Sequence, residues 1–424
     1  MARTIGIDLG TTGSRVAVVD GSRPAVIANA EGERTTPSCV AFAPDGQVLV
    51  GTAAARRSTT DPQNAFSSVK RRMAEPAADG RLAPEALAAY ILGKLKADAE
   101  AALGAAVDAA VITVPAHFGH NQRLATKEAA RIAGLEVRRL LNEPTAAAVA
   151  YAVEHPGDRR VLVVSLGGGA TDASAIEIQD GDVHVLATAG GALGGDDFDR
   201  AVVAWLVAHV AREHGVDVAG DPVALRRLSE AAEMARVELS SIEAAQIAVP
   251  YLTPDTQLDV QLTRARLEEL TAPLLDRVAQ AVGAVLAAAG SDLDALVLVG
   301  GMSRMPAVRE KVRSLTGLVP HGGVDSDEAA ALGAAVVAAV LTQTGAGPLV
   351  FDVLSAPLVV ATPDGARATV VERNTVIPTR RFVDLTADGT VELLQAGASL
   401  GRFEVRGGLR FDVDSNGIVA LTSG

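Results

Sequence analysis

The sequence predicts an α/β protein built from two similar lobes, followed by a small all-β C-terminal module. Three observations carry this expectation. Residues 4–20, TIGIDLGTTGSRVAVVD, read as strand, Gly-Thr turn and strand, with Val16, Val18 and Val19 supplying β-branched enrichment. Residues 161–178 repeat the plan as VLVVS, LGGGATD and ASAIEI; aligning Asp8 with Ser165 sets Leu9 on Leu166 and Gly10 on Gly167. A repeat this widely spaced implies duplicated lobes and not a solenoid. From residue 356 onward, short apolar runs alternate with turns (PLVVAT, ATVVE, RFVDLT, VELLQ, RFEV, LRFDV, GIVALT), which predicts a string of strands.

Each hairpin leads into alternating strands and helices. VDAAVITVP (107–115) reads as a strand, and 121–135 as a helix stopped at Gly134. RRLLN reads as a short strand, followed by a helix with Pro144 in its first turn. DALVLVGGMSRMP (294–306) is a strand ending in glycines, and 199–215, 222–243 and 264–289 read as helices. The breaker cluster TGAGP (344–348) and the extended run PLVFDV mark a joint. The expected division is 1–345 (lobes roughly 1–160 and 161–345), a linker over 346–355, and the β module over 356–424.

Composition narrows the function. The chain has 424 residues, enough for two or three domains, and aromatics make up only 3% of it. Alanine fills much of the apolar inventory, so helices can approach closely. The formal net charge of −13 argues against a nucleic-acid binder, which needs clustered Lys and Arg. Cys39 is the only cysteine, which excludes an internal disulfide and CxxC metal sites; after TTPS it reads as a packed residue. MARTIGIDLG has no long apolar run before Asp8, so no secretory signal is expected, and AAALGAAVVAAVL (329–341) is too short to span a bilayer. The expectation is a cytoplasmic monomer with no membrane or nucleic-acid partner.

The chemistry sits in the turns. Two glycine-bearing turns at strand ends, one per lobe, would face each other across a cleft and offer bare backbone amides to an anion, with Thr11 and Thr12 adding hydroxyls. No GxxxxGK[ST] loop occurs. In EAAEMARVELSS (230–241), Glu233, Arg236 and Ser240 share one helix face; the plainer reading is a solvated face with an ion pair. In GGMSRMP (300–306), Gly300 and Gly301 permit close approach of a ligand, and Arg304 can stack on a base. His117 and His120 form HxxH without a third ligand nearby, which favours a loop before a helix over a metal site. DVDSNG (412–417) opens like a calcium loop, but Ser423 stands where a Glu is needed, so a hairpin turn is expected. GGDDFD (194–199) reads as a helix start, with Asp196 and Asp197 at the positive end of the dipole.

IGIDLGTT, ANAEGERTTPS, DPQNAFSSVKR, VITVPAHF, RIAGLEVRRLLNEPTAAAVAY, LGGGATD, EAAEMARVELSS and VGGMSRMP, in this order, resemble the DnaK-type heat-shock chaperones from residue 3 to about 345. PLVFDV resembles the family's interdomain linker, and RNTVIPT with LRFDVDSNGIVAL resembles parts of its β substrate-binding domain. The resemblance implies an actin-like two-lobe ATPase fold with ATP/ADP and Mg²⁺ in the cleft. It implies that Asp8 holds waters around Mg²⁺, that Asp172 does so beside the second loop, and that Gly10, Thr11 and Thr12 cradle phosphates with Gly167, Gly168 and Gly169. Lys70 would contact the phosphates and position the attacking water, Glu143 would be an acid near the metal and the γ-phosphate, and Glu233, Arg236, Ser240, Gly300, Gly301, Arg304 and Asp327 would surround adenosine. Pro115 and Arg123 match positions that couple cleft and substrate domain.

The sequence also departs from the family. Its second loop normally reads DLGGGTFD; Ser165 replaces the first acid and Ala170 a threonine. Serine cannot act as a carboxylate base, so ATP binding with slow hydrolysis is expected. The segment after Lys70 is short, and a trimmed β module without a helical lid is expected. The leading expectation is a chaperone-like ATPase that couples nucleotide state to an unfolded polypeptide or one fixed protein partner, with co-chaperone and exchange helpers. A nucleotide-gated binding protein without catalysis is the alternative. A small-molecule kinase or a filament protein of the same fold is a third reading, against which the linker and the EPTAAA motif speak.

Overall fold

The computed structural model describes residues 3–21, 23–77, 82–342, 347–362, 365–384, 389–405 and 408–423. Most of the TGAGP breaker and the first residue of the expected linker lie outside these, as do residues 78–81 of the short segment after Lys70.

Two sheets dominate, and they share one plan. In the first, Arg3–Asp8 pairs antiparallel with Gly13–Asp20 on one side and parallel with Val107–Val114 on the other; Arg23–Ile27 and Glu136–Asn142 close the edges. In the second, Arg159–Leu166 pairs antiparallel with Thr171–Gln179 and parallel with Ala295–Val299; Asp182–Gly191 follows outward. The continuous apolar run VLVVSL reflects burial on both faces. Leu162, Val164 and Leu166 pack under Phe198, Val202, Leu206 and Val278, while Val161 and Val163 face Ala147, Val149 and Val336.

Between the sheets, helices Glu143–Glu154 and Ala329–Thr342 cross each other. The alanine content permits that approach: a Cβ added at Gly333 would lie 1.8 Å from the Ala146 carbonyl oxygen. Helix Arg264–Ala289 is long and apolar enough to cross a membrane by length and composition, but Leu267, Thr271, Leu275, Val278, Val282 and Val285 recur along one face and pack on the second sheet.

Several elements differ from expectation. The helix predicted over 222–243 is Pro222–Glu238, and a hairpin of Ala244–Thr253 and Thr256–Thr263 follows. Arg264 ends that helix by donating to the carbonyls of Leu239 and Ile242, drawing the chain away from the axis. The alternation of Leu258, Val260 and Leu262 in the hairpin, and of Val183, Val185 and Ala187 in the strand Asp182–Gly191, is the local signal that the expected elements pass over.

From Leu358 the described chain is made of strands. Arg367–Val371, Leu358–Ala361, Gly389–Gln395 and Ala398–Val405 form one sheet, and Thr379–Asp384, Gly408–Val413 and Val419–Ser423 another. Leu358, Val360, Leu393, Leu409, Phe411 and Val413 are buried between them. DVDSNG is a hairpin turn, with Asp414 Oδ1 accepting from the amides of Asn416 and Ile418.

These sheets dock on helix His120–Ile132. The His120 amide donates to Gln395 Oε1 at 2.8 Å, and the Val419 amide donates to His120 Nδ1 at 3.0 Å. Burial pulls the His120 imidazole below its ordinary value, and Asp414 opposes this only in part. A depressed folded value means the contact is fully stabilising above the unfolded pKa of ~6.5 and is lost as pH falls through the folded one. Protection of the Val419 amide in hydrogen exchange, corrected for intrinsic rate, should therefore drop on acidification. The drop should vanish in His120→Asn, which keeps an acceptor at the Nδ1 position; persistence of the drop there would assign it elsewhere.

Candidate functional site

The glycine turns meet across one cavity of about 330 Å³. Its wall holds Asp8, Gly10, Thr11 and Thr12 from the first hairpin and Gly167, Gly168, Gly169 and Ala170 from the second. Glu143, Ser165, Glu233, Arg236, Gly300, Gly301, Arg304 and Asp327 complete the part that the sequence singled out. Its size suits a small-molecule ligand.

Backbone sterics fix the turns. A Cβ at Gly168 would lie 2.5 Å from the Thr12 methyl, and one at Gly169 2.6 Å from Thr11, so bare glycine lets the two turns touch. Gly194 closes the back: its added Cβ would stand 2.4 Å from the Gly168–Gly169 peptide. The first turn is braced by the Gly10 amide donating to Ser14 Oγ at 3.1 Å and by Ser38 Oγ donating to the Gly10 carbonyl at 2.8 Å.

Asp8 is buried and accepts from Thr113 Oγ1 at 2.9 Å. Glu143 opens its helix directly after Asn142, placing its carboxylate at the positive end of the dipole. Lys70 stands behind it, buried on the turn Val69–Arg72, and donates to Glu143 Oε1 at 2.6 Å. Burial pushes the Glu143 carboxyl above its usual range; Lys70 opposes this, and the charges of Asp8 and Asp172 add to it. Ser165 is buried, directly opposite Asp172 in the strand register, with Oγ 3.4 Å from Glu143 Oε2.

Asp172 is fully buried, and its oxygens are already engaged. The amide of Ala116 donates to Oδ2 at 3.1 Å; the amide of His117 donates to Oδ1 at 3.1 Å, with His117 Nδ1 3.0 Å away. It thus ties the second loop to the segment after Pro115. Burial alone would lower the His117 imidazole, but the charge and hydrogen bond of Asp172 outweigh it and hold His117 above its usual value.

At the other end, Arg236 donates to both oxygens of Asp199, at 2.6 and 3.0 Å, and lies against the Met302 sulfur. Burial raises the Asp199 carboxyl, which this pairing counters. Glu233 lines the wall one turn away, and its carboxyl is also raised by burial and by Asp199. Ser240 follows the helix end at Glu238, in the turn at 239–241, where its amide donates to the Val237 carbonyl and the Ile242 amide to that of Glu238. Arg304 donates to Asp327 Oδ2 at 2.7 Å.

Contacts also clasp the two halves together. Ser68 donates to Asp196 Oδ2 at 2.6 Å, Arg71 holds both Asp197 oxygens at 2.8 and 3.1 Å, and Arg34 donates to Glu328 Oε2 at 2.7 Å. Asp197 also accepts from the Gly194 amide at its helix start, so the GGDD motif serves as both cap and clasp. Sequence reasoning missed Asp199, Arg71 and Arg15. The first two are ordinary charged residues until the fold supplies partners, and Arg15 looks like any polar position on a strand.

The donor set fits a hard divalent cation. Asp8 and Glu143 offer carboxylate oxygens to the cavity, and such an ion keeps much of its water shell and takes few protein ligands. Among the described residues no group of three or more His, Cys, Asp or Glu is arranged for direct ligation.

Compared with known protein families, the sequence matches the Hsp70 family model, described as Hsp70 protein, over residues 4–81 and 74–423.

Proposed function

Because the chain belongs to the Hsp70 family, whose members are ATP-dependent chaperones on an actin-like fold, we propose that it couples the nucleotide in its cleft to the position of its C-terminal β module. The family binds ATP or ADP with Mg²⁺, unfolded polypeptides and co-chaperones. The proposal concerns how this chain links those events.

One observation carries it: a set of bonds that runs from Asp172, paired in register with Ser165 of the cavity wall, to the linker. Asp172 holds the backbone at Ala116 and His117. Three residues past His117, helix His120–Ile132 begins, and its Arg123 donates to Asn142 Oδ1 at 2.7 Å. Asn142 Nδ2 donates to Asp352 Oδ1 at 2.8 Å, and Thr145 Oγ1 does so at 2.9 Å. Asp352 lies in the strand Val350–Val353, which pairs with Asp182–Gly191 in the second sheet and with Val376–Ile377 beyond. A shift of the segment at Ala116 and His117 would act on the linker strand through rigid, hydrogen-bonded parts. Nucleotide biases that strand only if docked and released states differ in nucleotide affinity.

In the cleft, the proposed roles divide between its two ends. The two glycine turns present amides to the phosphates, and Arg236 with Arg304 flanks the adenosine end. Glu143, fixed by Lys70, orients the attacking water, while Mg²⁺ held through Asp8 and Glu143 would neutralise charge on the phosphates. With Ser165 where the family has an acid, turnover is slow. The same residue favours the second reading, a nucleotide-gated binder in which ATP acts mainly as a stabilising ligand.

The test is hydrogen exchange at Val350–Val353 with ADP and with ATP, together with single-turnover hydrolysis with and without an unfolded polypeptide. Coupling predicts nucleotide-dependent protection of the strand. Identical exchange in both states overturns coupling, and fast hydrolysis overturns the slow-turnover part.

A further inference from the structure

Arg15 sits in the cleft, among the residues that line its wall. The strand register pairs it directly with Asp8, so both side chains leave the same face of the first sheet. Its side chain is 15% exposed and forms part of the cavity wall. Its Nη1 lies 3.6 Å from Asp8 Oδ2, and its Nη2 lies 4.0 Å from Asp327 Oδ1. Both distances exceed a direct hydrogen bond.

The other arginines of the wall are occupied. Arg236 uses its donors on Asp199 and Met302, and Arg304 is held by Asp327. Among the described residues, Arg15 is the wall arginine whose nearest acceptors all lie beyond hydrogen-bonding distance. A half-enclosed guanidinium has five donors and strongly prefers a planar pair of anionic oxygens. The wall beside it is acidic: Asp8, Glu143 and Asp327 would repel a phosphate chain if nothing countered them.

We infer that Arg15 is a built-in phosphate clamp: its guanidinium binds the phosphate chain of the nucleotide directly and neutralises Asp8. Nucleoside diphosphate binding then persists when the divalent cation is removed. The inference rests on the nucleotide reading given above and adds a residue to it. Arg15 is a binding residue here, fixed in place by the strand pairing and not by a mobile loop. A cation that cannot dissociate also weakens the demand of Asp8 for a metal ion.

The experiment is titration calorimetry of the full chain with ADP and with adenosine, in Mg²⁺ and in chelator, for the natural protein, Arg15→Ala and Arg15→Lys. In chelator, Arg15→Ala should weaken ADP by roughly 10- to 100-fold, the worth of a charge-assisted hydrogen bond. Adenosine, which carries no phosphate, should bind all three proteins alike and so report that the variants are folded. Lysine should recover part of the ADP affinity, because it restores the charge but not the fork. Equal ADP affinity in chelator for Arg15→Ala and the natural protein overturns the clamp. So does a parallel loss of adenosine. If the natural protein binds neither ligand, the nucleotide reading falls and the clamp with it.

Discussion

Ser165→Asp should raise single-turnover ATP hydrolysis by about 10²- to 10⁴-fold, the range over which a positioned acid–base group contributes. Ser165 is buried on the cavity wall, 3.4 Å from Glu143 Oε2 and across the strand pair from Asp172. A carboxylate there would join Asp8 and Glu143 around the same space. Arg15 and Lys70 already serve Asp8 and Glu143, so a third acid adds a negative charge with no protein cation of its own; the variant should be less stable than the natural protein in chelator and should regain stability on adding Mg²⁺. Rate and metal dependence should thus rise together. An unchanged rate in Mg²⁺, in a variant that still binds ATP, would show that Ser165 does not limit turnover.

Arg123→Ala should detach the C-terminal sheets while leaving both regions folded. Arg123 is buried and donates to Phe118 O at 2.8 Å, Asn416 O at 3.1 Å, Ala116 O at 3.4 Å and Asn142 Oδ1 at 2.7 Å. Through Asn142 it faces the buried carboxylate of Asp352. Removing the guanidinium leaves these acceptors without their donor, the Asn416 carbonyl among them, which is the one that belongs to the C-terminal sheets, while Asp352 keeps its bonds from Asn142 and Thr145. Leaving a buried acceptor without its donor costs roughly 1–3 kcal/mol, enough to shift a docking equilibrium. Limited proteolysis near Val350–Val353 and exchange of the Leu140 amide, which donates to Asn416 Oδ1, would report it. The C-terminal sheets should keep their own core around Phe411. Unchanged cleavage and exchange would show that the apolar contacts alone hold the interface.

The glycine turns were legible because their requirement is local: backbone must approach backbone, and only glycine allows it. The repeat of strand, turn and strand was legible for the same reason, since β-branched runs and breakers announce themselves within a few residues. Glu143 and Lys70 were reached through the family resemblance, not through spacing, because they lie 73 residues apart and meet only in the folded chain. Ser240 came from a helical pattern read past Glu238, which cannot see that Arg264 will take the carbonyls of Leu239 and Ile242. The docking set of His120, Arg123, Asn416 and Gln395 was only partly visible. Arg123 came from resemblance, while Gln395 and Asn416 are ordinary strand and turn residues until an interface uses them. Asp172 was expected at the metal, and its engagement with Ala116 and His117 required knowing which strand end faces it.

The strand Val350–Val353 has a consequence when it leaves. While docked it covers the outer rim of Asp182–Gly191, pairing Val350 with Val183 and stacking Phe351 on His184 with ring centroids 4.7 Å apart. Its departure would bare unpaired backbone donors and acceptors there, together with the apolar side chain of Phe351. Such a rim is a template for strand addition by another chain. A protein whose working cycle released this strand would pass through a self-associating state, so nucleotide conditions that lengthen that state should also promote aggregation.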